Sequence, residues 1–501
     1  MISTPALRQA NPWWRSAELI DADEKIKMCE AATISYDPEL RHQIEYDFEP
    51  DNTVVYTMRG PRQVGKTTMI KLQIRDFLKG DANPWNIFYY SFDLAGTPQD
   101  VADIISGYLK MSAAYRNMEE RTYLFLDEIT SVDDWQKAVK FLIDGAQLKH
   151  CTILATGSQA ASILRAAERL PGRRGHVADS YDKILKPMSF FEFARVRNSE
   201  LAEFIKNKNM DAGCKKDILA DIAAKQIPDV IHELSVGFVD VLNHCLDEYM
   251  LTGGLPKIVD EKIVHNFVAD PTYKGYLDSI KADWGLHSAD MVRQFGSALA
   301  TSMGSAVSWS SLLKQTDFGS WSTVQKYVYL LNDASVIHIV HMFGEKSKQA
   351  CFRKEKKIYF TDPFYYNLFN NLYKTKDWFM ASEEFLMEEK NAGKIAECVA
   401  ADHLARLMYD TADSRMMFDK NNHLFYWKDK QEVDFVLYRE GQLELPVEIK
   451  YRNKISYREL GGLARFLDAT SSESGLVLSK DTLEVRRDYA VIPLAVFLAL
   501  V

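Results

Sequence analysis

Gly60-Pro61-Arg62-Gln63-Val64-Gly65-Lys66-Thr67 is the stretch on which the reading of this chain turns. It fits G-x-x-x-x-G-K-[ST] and sits between an apolar run, Thr53 to Met58 (TVVYTM), and a helical stretch, Thr67 to Leu78. A loop that wraps a phosphate chain needs backbone N–H groups turned inward. Gly60 and Gly65 permit that without a Cβ clash. The helix that follows offers the positive end of its dipole to the same phosphates. Lys66 then neutralises the β- and γ-phosphates and the Thr67 hydroxyl ligates Mg²⁺. Pro61, Arg62, Gln63 and Val64 form the loop wall, and Thr68 caps or packs behind it. The ligand this implies is ATP with Mg²⁺.

Working outward, apolar runs alternate with helical ones. Ile87 to Phe92, Thr122 to Leu126 and Thr152 to Ala155 read as strands, with helices near Val101 to Leu109 and Trp135 to Gln147. Such alternation predicts a doubly wound parallel sheet, the P-loop α/β class. Ligands of these sheets lie outside the carboxyl ends of the strands. Two groups fall there, and a third stretch follows them. Asp127 and Glu128 close the run TYLFLDE, the first as a Mg²⁺ holder and the second as a general base toward the attacking water. Thr156 or Ser158, in Ala155-Thr156-Gly157-Ser158, reaches the γ-phosphate or that water, or else merely makes a turn. Leu170-Pro171-Gly172-Arg173-Arg174-Gly175 supplies a cationic finger to a neighbouring site, or else is a solvated basic loop.

GPRQVGKTT, YLFLDEIT, ATGSQA, LPGRRG and KPMSFFEF together resemble AAA-type ATPases of the AAA_14 group. LTGGLPKIV, KKIYFTDPFYYNLF, GKIAECVAADHLARL, FYWKDKQEVDFVLY and PVEIKY resemble landmarks of the DUF4143 domain that usually follows it. The resemblance covers most of the chain from about residue 50. It implies ATP hydrolysis and assembly into a ring or other homo-oligomer. It also makes Arg173, at the family's Gly-Arg position, the better finger. The polar segment near 196–245 departs from the pattern.

In the C-terminal part, side chains two apart on a strand share a face, so Glu448 and Lys450 point the same way while Ile449 enters the core. Asp434 opens the partner strand across a short hairpin and meets Glu448, and Glu397 lies on the preceding helix. The set resembles a PD-(D/E)xK nuclease site, in which the two acids Asp434 and Glu448 would hold a divalent metal, Lys450 would position water and offset negative charge, and Glu397 would complete the outer shell. The alternative is a nuclease-like scaffold used only for binding. Residues 296–340 resemble a winged helix, with Ser310 to Gln315 followed by a groove-reading helix, Ser322 to Asn332. Only Lys326 is cationic within that helix. Lys346, Lys348, Arg353, Lys354, Lys356 and Lys357 follow as a candidate grip on phosphate backbone.

The chain has 501 residues and a net charge of -9, which excludes a wholly basic nucleic-acid coat but not a local basic groove. Its six cysteines lack C-x-x-C pairs and histidine companions, so they are read as reduced thiols of a cytoplasmic protein rather than a zinc site or a disulfide framework. The N-terminus lacks the basic-then-apolar order of a signal peptide, and no run is long enough to span a membrane. Trp13 and Trp14 are read as packing. The expected division is an ATPase domain with its extension at 1–195, a helical lid or linker at 196–255, a winged-helix-like domain at 256–345 and a nuclease-like α/β domain at 346–501. The function this supports is an ATPase acting on DNA, duplex or branched. The alternative is an ATP-controlled switch for a protein partner, with a silent nuclease-like domain.

Overall fold

The computed structural model describes residues 4–157, 170, 172–208, 210–284, 288–470 and 472–501. They fall into two compact units, 1–186 and 187–501.

The first unit is built on five strands. They are β1 (Val54–Arg59), β2 (Ile87–Ser91), β3 (Thr122–Asp127), β4 (Cys151–Thr156) and β5 (Asp182–Ile184), in the order β2-β3-β4-β1-β5. Every pairing is parallel. Helices Lys66–Lys79, Pro98–Ser112 and Gln136–Asp144 fill the crossovers. The central strands bury residues of both faces, as Leu124, Phe125 and Leu126 do, which is why they appear in the sequence as continuous apolar runs rather than alternating ones. A parallel sheet in this order brings the carboxyl ends of β1, β3 and β4 side by side, and the loops that follow them converge there.

The N-terminal extension closes the sheet. β2 is an edge strand, and an open edge leaves backbone groups unpaired. Asn11 covers that edge: its amide donates to the Tyr89 carbonyl at 3.0 Å and its oxygen accepts from the Tyr89 N–H at 2.7 Å. The indole N–H groups of Trp13 and Trp14 both donate to the Ile87 carbonyl, at 3.1 and 3.0 Å. Trp14 also stacks on Trp85, with ring centroids 5.0 Å apart. Packing is therefore part of what these tryptophans do, and satisfying the sheet edge is the rest.

The second unit opens with helices, from Phe190–Arg197 to Asp270–Trp284, and continues with Ala289–Ser302, Trp309–Leu313 and Trp321–Asp333. A nine-stranded mixed sheet follows, comprising β6 (Ile337–Gly344), β7 (Gln349–Ala350), β8 (Lys356–Phe360), β9 (Leu424–Lys428), β10 (Glu432–Arg439), β11 (Leu443–Lys450), β12 (Gly475–Ser479), β13 (Glu484–Val485) and β14 (Tyr489–Pro493). Its order is β13-β14-β12-β11-β10-β9-β6-β7, with β8 on β6. Helix Glu389–Asp410 packs against β8, β10 and β11. The chain ends in a buried segment, Leu494 to Val501.

Residues 187–501 gather into one unit for a visible reason. Helix Val239–Thr252 packs on helices Pro363–Asn370 and Leu494–Leu498, and helix Ala212–Ala223 packs on β11 and β12. The segments read as linker, winged-helix-like and nuclease-like thus share a core. The stretch expected to read DNA does contain helices Trp309–Leu313 and Trp321–Asp333, but the β6–β8 hairpin that follows them is part of the large sheet.

Candidate active site

In the loop after β1, Gln63 and Gly65 take positive φ, 60° and 108°. Gly65 is the position where that conformation favours glycine. At Gly60 the constraint is space, because a Cβ there would meet the Leu185 carbonyl oxygen at 2.1 Å. The loop folds back over the start of helix Lys66–Lys79. Lys66 is buried, and its ammonium donates to the carbonyls of Gly60 and Pro61 at 3.0 and 3.2 Å. A cation held by its own loop's carbonyls lies inside the cradle rather than out in solvent.

Asp127 ends β3, and three hydroxyls converge on its carboxylate. Thr67 Oγ1 donates to Oδ2 at 2.7 Å, Tyr89 Oη to Oδ2 at 3.0 Å, and Thr156 Oγ1 to Oδ1 at 2.5 Å. They come from the P-loop helix, β2 and β4, so the parallel order of the sheet is what brings them together. A hydroxyl orients a carboxylate without cancelling its charge. Thr67 and Asp127 therefore offer a hard-oxygen pair at one point, the donor chemistry that suits Mg²⁺.

Glu128 follows in a left-handed conformation, φ 47° and ψ 36°, with its N–H on Thr156 Oγ1 at 3.3 Å. A non-glycine residue in that region costs about 1–3 kcal/mol, and such strain collects at functional sites. Gly157 is required after Thr156, since a Cβ there would meet Thr130 Oγ1 at 2.2 Å.

Of the residues expected here, the structure brings Lys66, Thr67, Asp127, Glu128 and Thr156 to one sheet end. Ser158 and Pro171 lie outside the described residues. Arg173 pairs with Asp144, Nε to Oδ1 at 2.6 Å. Arg174 is structural, because its guanidinium donates to the Val55 carbonyl, Thr57 Oγ1 and both Asp182 oxygens and so ties β1 to β5. Sequence reasoning missed Tyr89. The available signal was a hydroxyl-bearing aromatic near the end of β2, beside the strand carrying Asp127. Behind it Lys71 lies over the Tyr89 ring, 3.5 Å from its centroid, and 3.4 Å from Asp23 of the extension. Burial pulls the Lys71 ammonium below its ordinary pKa, against the pull of Asp23, and burial pushes the Tyr89 hydroxyl up.

These geometries agree with the family comparisons. A family model described as "AAA domain" (AAA_14) matches residues 52–194, and the domain of unknown function DUF4143 matches 392–497. This chain joins an AAA domain of the AAA_14 type to a DUF4143 domain. A second domain of unknown function, DUF8612, matches residues 243–376 between them. An uncharacterized protein of Methanocaldococcus jannaschii, MJ1544, is 25% identical over 431 residues, covering 83% of this chain and 79% of that one. Among solved structures, the Walker-type ATPase PABY2304 of Pyrococcus abyssi aligns with TM-score 0.36 and 13% identity, over 64% of this chain and 91% of that one. The Orc1 protein of Aeropyrum pernix in complex with DNA aligns with TM-score 0.26 and 13% identity, over 74% of this chain and 97% of that one. At those TM-scores neither superposition bears on function.

The DUF4143 domain gathers the second expected set. Glu397, Asp434, Glu448 and Lys450 do come together, but with two lysines among the acids. Lys357 of β8 is buried, its ammonium 2.6 Å from Glu432, 3.4 Å from Glu397 and 3.6 Å from Asp434. Lys450 lies 2.7 Å from Glu448 and 3.9 Å from Asp434. Tyr359 donates to Glu397 at 2.5 Å, and Asp434 accepts the Ile449 N–H at 2.9 Å. Burial, then the neighbouring Asp434, pushes Glu448 well above and Glu397 above the usual carboxylate range. Burial also acts on Asp434, but Lys357, Lys450 and the Ile449 N–H outweigh it and hold that group low. Among the described residues, no group of three or more His, Cys, Asp or Glu side chains is arranged to hold a metal ion.

The basic cluster after β6 is smaller than the sequence suggests. Lys357 is inside the acid cluster, Lys356 is buried 4.2 Å from the Trp309 ring centroid, and Lys348 pairs with Glu444 at 2.5 Å. Lys346, Arg353 and Lys354 remain exposed, as does Lys326 on helix Trp321–Asp333. No helix among the described residues is long and apolar enough to cross a membrane.

Proposed function

We propose that this chain hydrolyses ATP with Mg²⁺ at the Gly60–Thr67 loop and uses the cycle to act on DNA through its C-terminal unit. The observation that supports hydrolysis most is the convergence of Thr67, Tyr89 and Thr156 on Asp127, beside a lysine turned into the loop. Thr67 and Asp127 would hold Mg²⁺, which when bound offsets the charge of the transferring phosphoryl group. Lys66 would give up its two loop carbonyls for the β- and γ-phosphate oxygens. Glu128, turned out of the strand by its left-handed backbone, would orient the attacking water and take its proton. Thr156 holds Asp127 and the Glu128 N–H together, so it would keep base and metal ligand in register.

Arg173 is the finger candidate. It would have to leave Asp144 and reach a neighbouring copy, which makes a homo-oligomer part of the proposal. Replacing Lys66 by alanine tests hydrolysis itself: phosphate release continuing at the wild-type rate would sink it.

Support for DNA is the exposed face of helix Trp321–Asp333, with Trp321, Lys326 and Tyr329, together with exposed Lys346, Arg353 and Lys354. Four cations on phosphates give a slope of log affinity against log salt no steeper than about -4. The test is the ATPase rate and binding across a salt series with single-stranded, duplex and branched DNA and with RNA. Binding to none of them at low salt would remove DNA from the reading. A second reading, an ATP-controlled switch for a protein partner, is favoured by the net charge of -9 and by the lysines withdrawn from the basic cluster. ATP-dependent capture of one specific protein, with no nucleic-acid response, would select it.

A further inference from the structure

A nuclease-like reading of the DUF4143 domain requires a divalent cation among Glu397, Asp434 and Glu448. The residues present do not fit one. We propose that the Lys357 ammonium occupies the cation position of this cluster, so that the domain takes no divalent metal there and cannot cut nucleic acid by metal-activated water.

Three observations carry this. The first is position. Lys357 Nζ lies 2.6, 3.4 and 3.6 Å from carboxylate oxygens of Glu432, Glu397 and Asp434, which come from β10 and helix Glu389–Asp410. A metal sharing those oxygens would share the space of the ammonium. The second is enclosure. Lys357 is 1% exposed and its ammonium lies 5.8 Å from the Tyr426 ring centroid, so leaving means breaking three ion pairs. The loop at Gly304 lies against Glu397: a Cβ on Gly304 would be 3.3 Å from Glu397 Oε1, and the Gly304 N–H donates to the Ile358 carbonyl at 3.2 Å. The third is the remaining oxygens. Asp434 Oδ2 accepts the Ile449 N–H and Glu448 Oε2 accepts from Lys450, so two further oxygens of the cluster already hold donors.

The sequence pattern agrees. In Lys356-Lys357-Ile358-Tyr359 (KKIY), Lys357 and Tyr359 are two apart on β8 and share a face, and both contact Glu397. β8 thus supplies a built-in counter-ion and a hydroxyl to acids on neighbouring elements. The cluster ties β8, helix Glu389–Asp410, β10 and β11 together through shared ion pairs. The unit's engagement with a partner is left to its surface.

The test counts bound Mn²⁺ by electron paramagnetic resonance on the full chain without nucleotide. Wild type is compared with Asp434→Asn, Glu397→Gln and Lys357→Met. The expected result is that Asp434→Asn and Glu397→Gln bind as much Mn²⁺ as wild type, while Lys357→Met gains one ion per chain. Loss of one ion in either acid variant would overturn the proposal. A folded Lys357→Met that gains none would overturn the role given to the ammonium. If Lys357→Met does not fold, the two acid variants decide. The P-loop residues are untouched in all of them, so the outcome is separate from that of the ATPase reading.

Discussion

Asp127 and Asp434 both stand on strands of a core sheet among close polar partners, and they are prepared for opposite ends. Asp127 is held by three hydroxyls, from Thr67, Tyr89 and Thr156. Asp434 is held by two ammonium groups, from Lys357 and Lys450, and one backbone N–H. Hydroxyls fix a carboxylate's direction and leave its charge for an incoming cation. Ammonium groups fix its direction and place a cation beside it already. A further positive charge brought within 4 Å of a resident ammonium meets about 4 kcal/mol of repulsion per unit charge at an effective dielectric near 20. Acids gathered at one place are thus not a metal site until their counter-ions are counted.

The comparison breaks most visibly at the P-loop. Lys66→Ala is expected to lower ATP turnover by at least ~100-fold, read as phosphate release, because the cradle loses its positioned charge. Glu128→Gln is expected to keep nucleotide affinity while cutting turnover by about 10²–10⁴-fold, the usual contribution of a general base. Equilibrium binding measured beside single-turnover rates separates the two effects, and normal turnover in this variant would remove Glu128 from its role.

Tyr89→Phe sharpens the hydroxyl side. It removes one of the two hydroxyls on Asp127 Oδ2 and leaves the ring over Lys71 in place. Groups that hydrogen-bond a metal ligand from behind are worth about 10–100-fold in metal affinity. With Thr67 and Thr156 retained, the expectation is the lower end, seen as a higher Mg²⁺ requirement with little change in nucleotide affinity. An unchanged Mg²⁺ requirement would make Tyr89 a packing residue.

A further effect, on stability rather than turnover, lies away from both sites. Asp362 is buried, accepts the N–H groups of Gly254 and Phe364 at 2.7 and 2.8 Å, and is pushed up to about 7, chiefly by burial. A carboxyl whose folded pKa is raised favours the folded state fully below its unfolded value, near 4, and loses that contribution as pH rises through about 7. Stability is therefore expected to fall between about pH 4 and 7, by at most ~1.4 kcal/mol per pH unit. Asp362→Asn is expected to flatten the thermal-melting profile across that window; a profile with the same slope in both proteins would contradict the assignment.

Much of this was legible in the sequence for a simple reason. β1 to β4 are buried on both faces and announce themselves as apolar runs ended by glycine or acid, so the parallel sheet and its ligand end follow. β5 is three residues long, and β12 and β14 are five-residue apolar runs whose pattern does not distinguish strand from buried helix. The role of the N-terminal extension was hidden because it depends on hydrogen bonds from Asn11, Trp13 and Trp14 to a strand edge 73 to 78 residues away, which leave no periodic trace. In the second cluster the acids were readable from strand alternation. Lys357 was not assigned to it because a lysine next to Lys354 and Lys356 reads as a solvated basic patch, and only the β6–β8 pairing turns it inward.

The contrast between the two carboxylate sites is tested most directly by mapping where Fe²⁺, substituted for Mg²⁺, cleaves the backbone of the full chain by locally generated radicals in the presence of ATP. Cuts are expected near Thr67 and Asp127, and none near Asp434 or Glu448. Cuts at Asp434 or Glu448 in wild type, or none at Thr67 and Asp127, would contradict the division between a hydroxyl-held acid that takes a metal and an ammonium-held acid that does not.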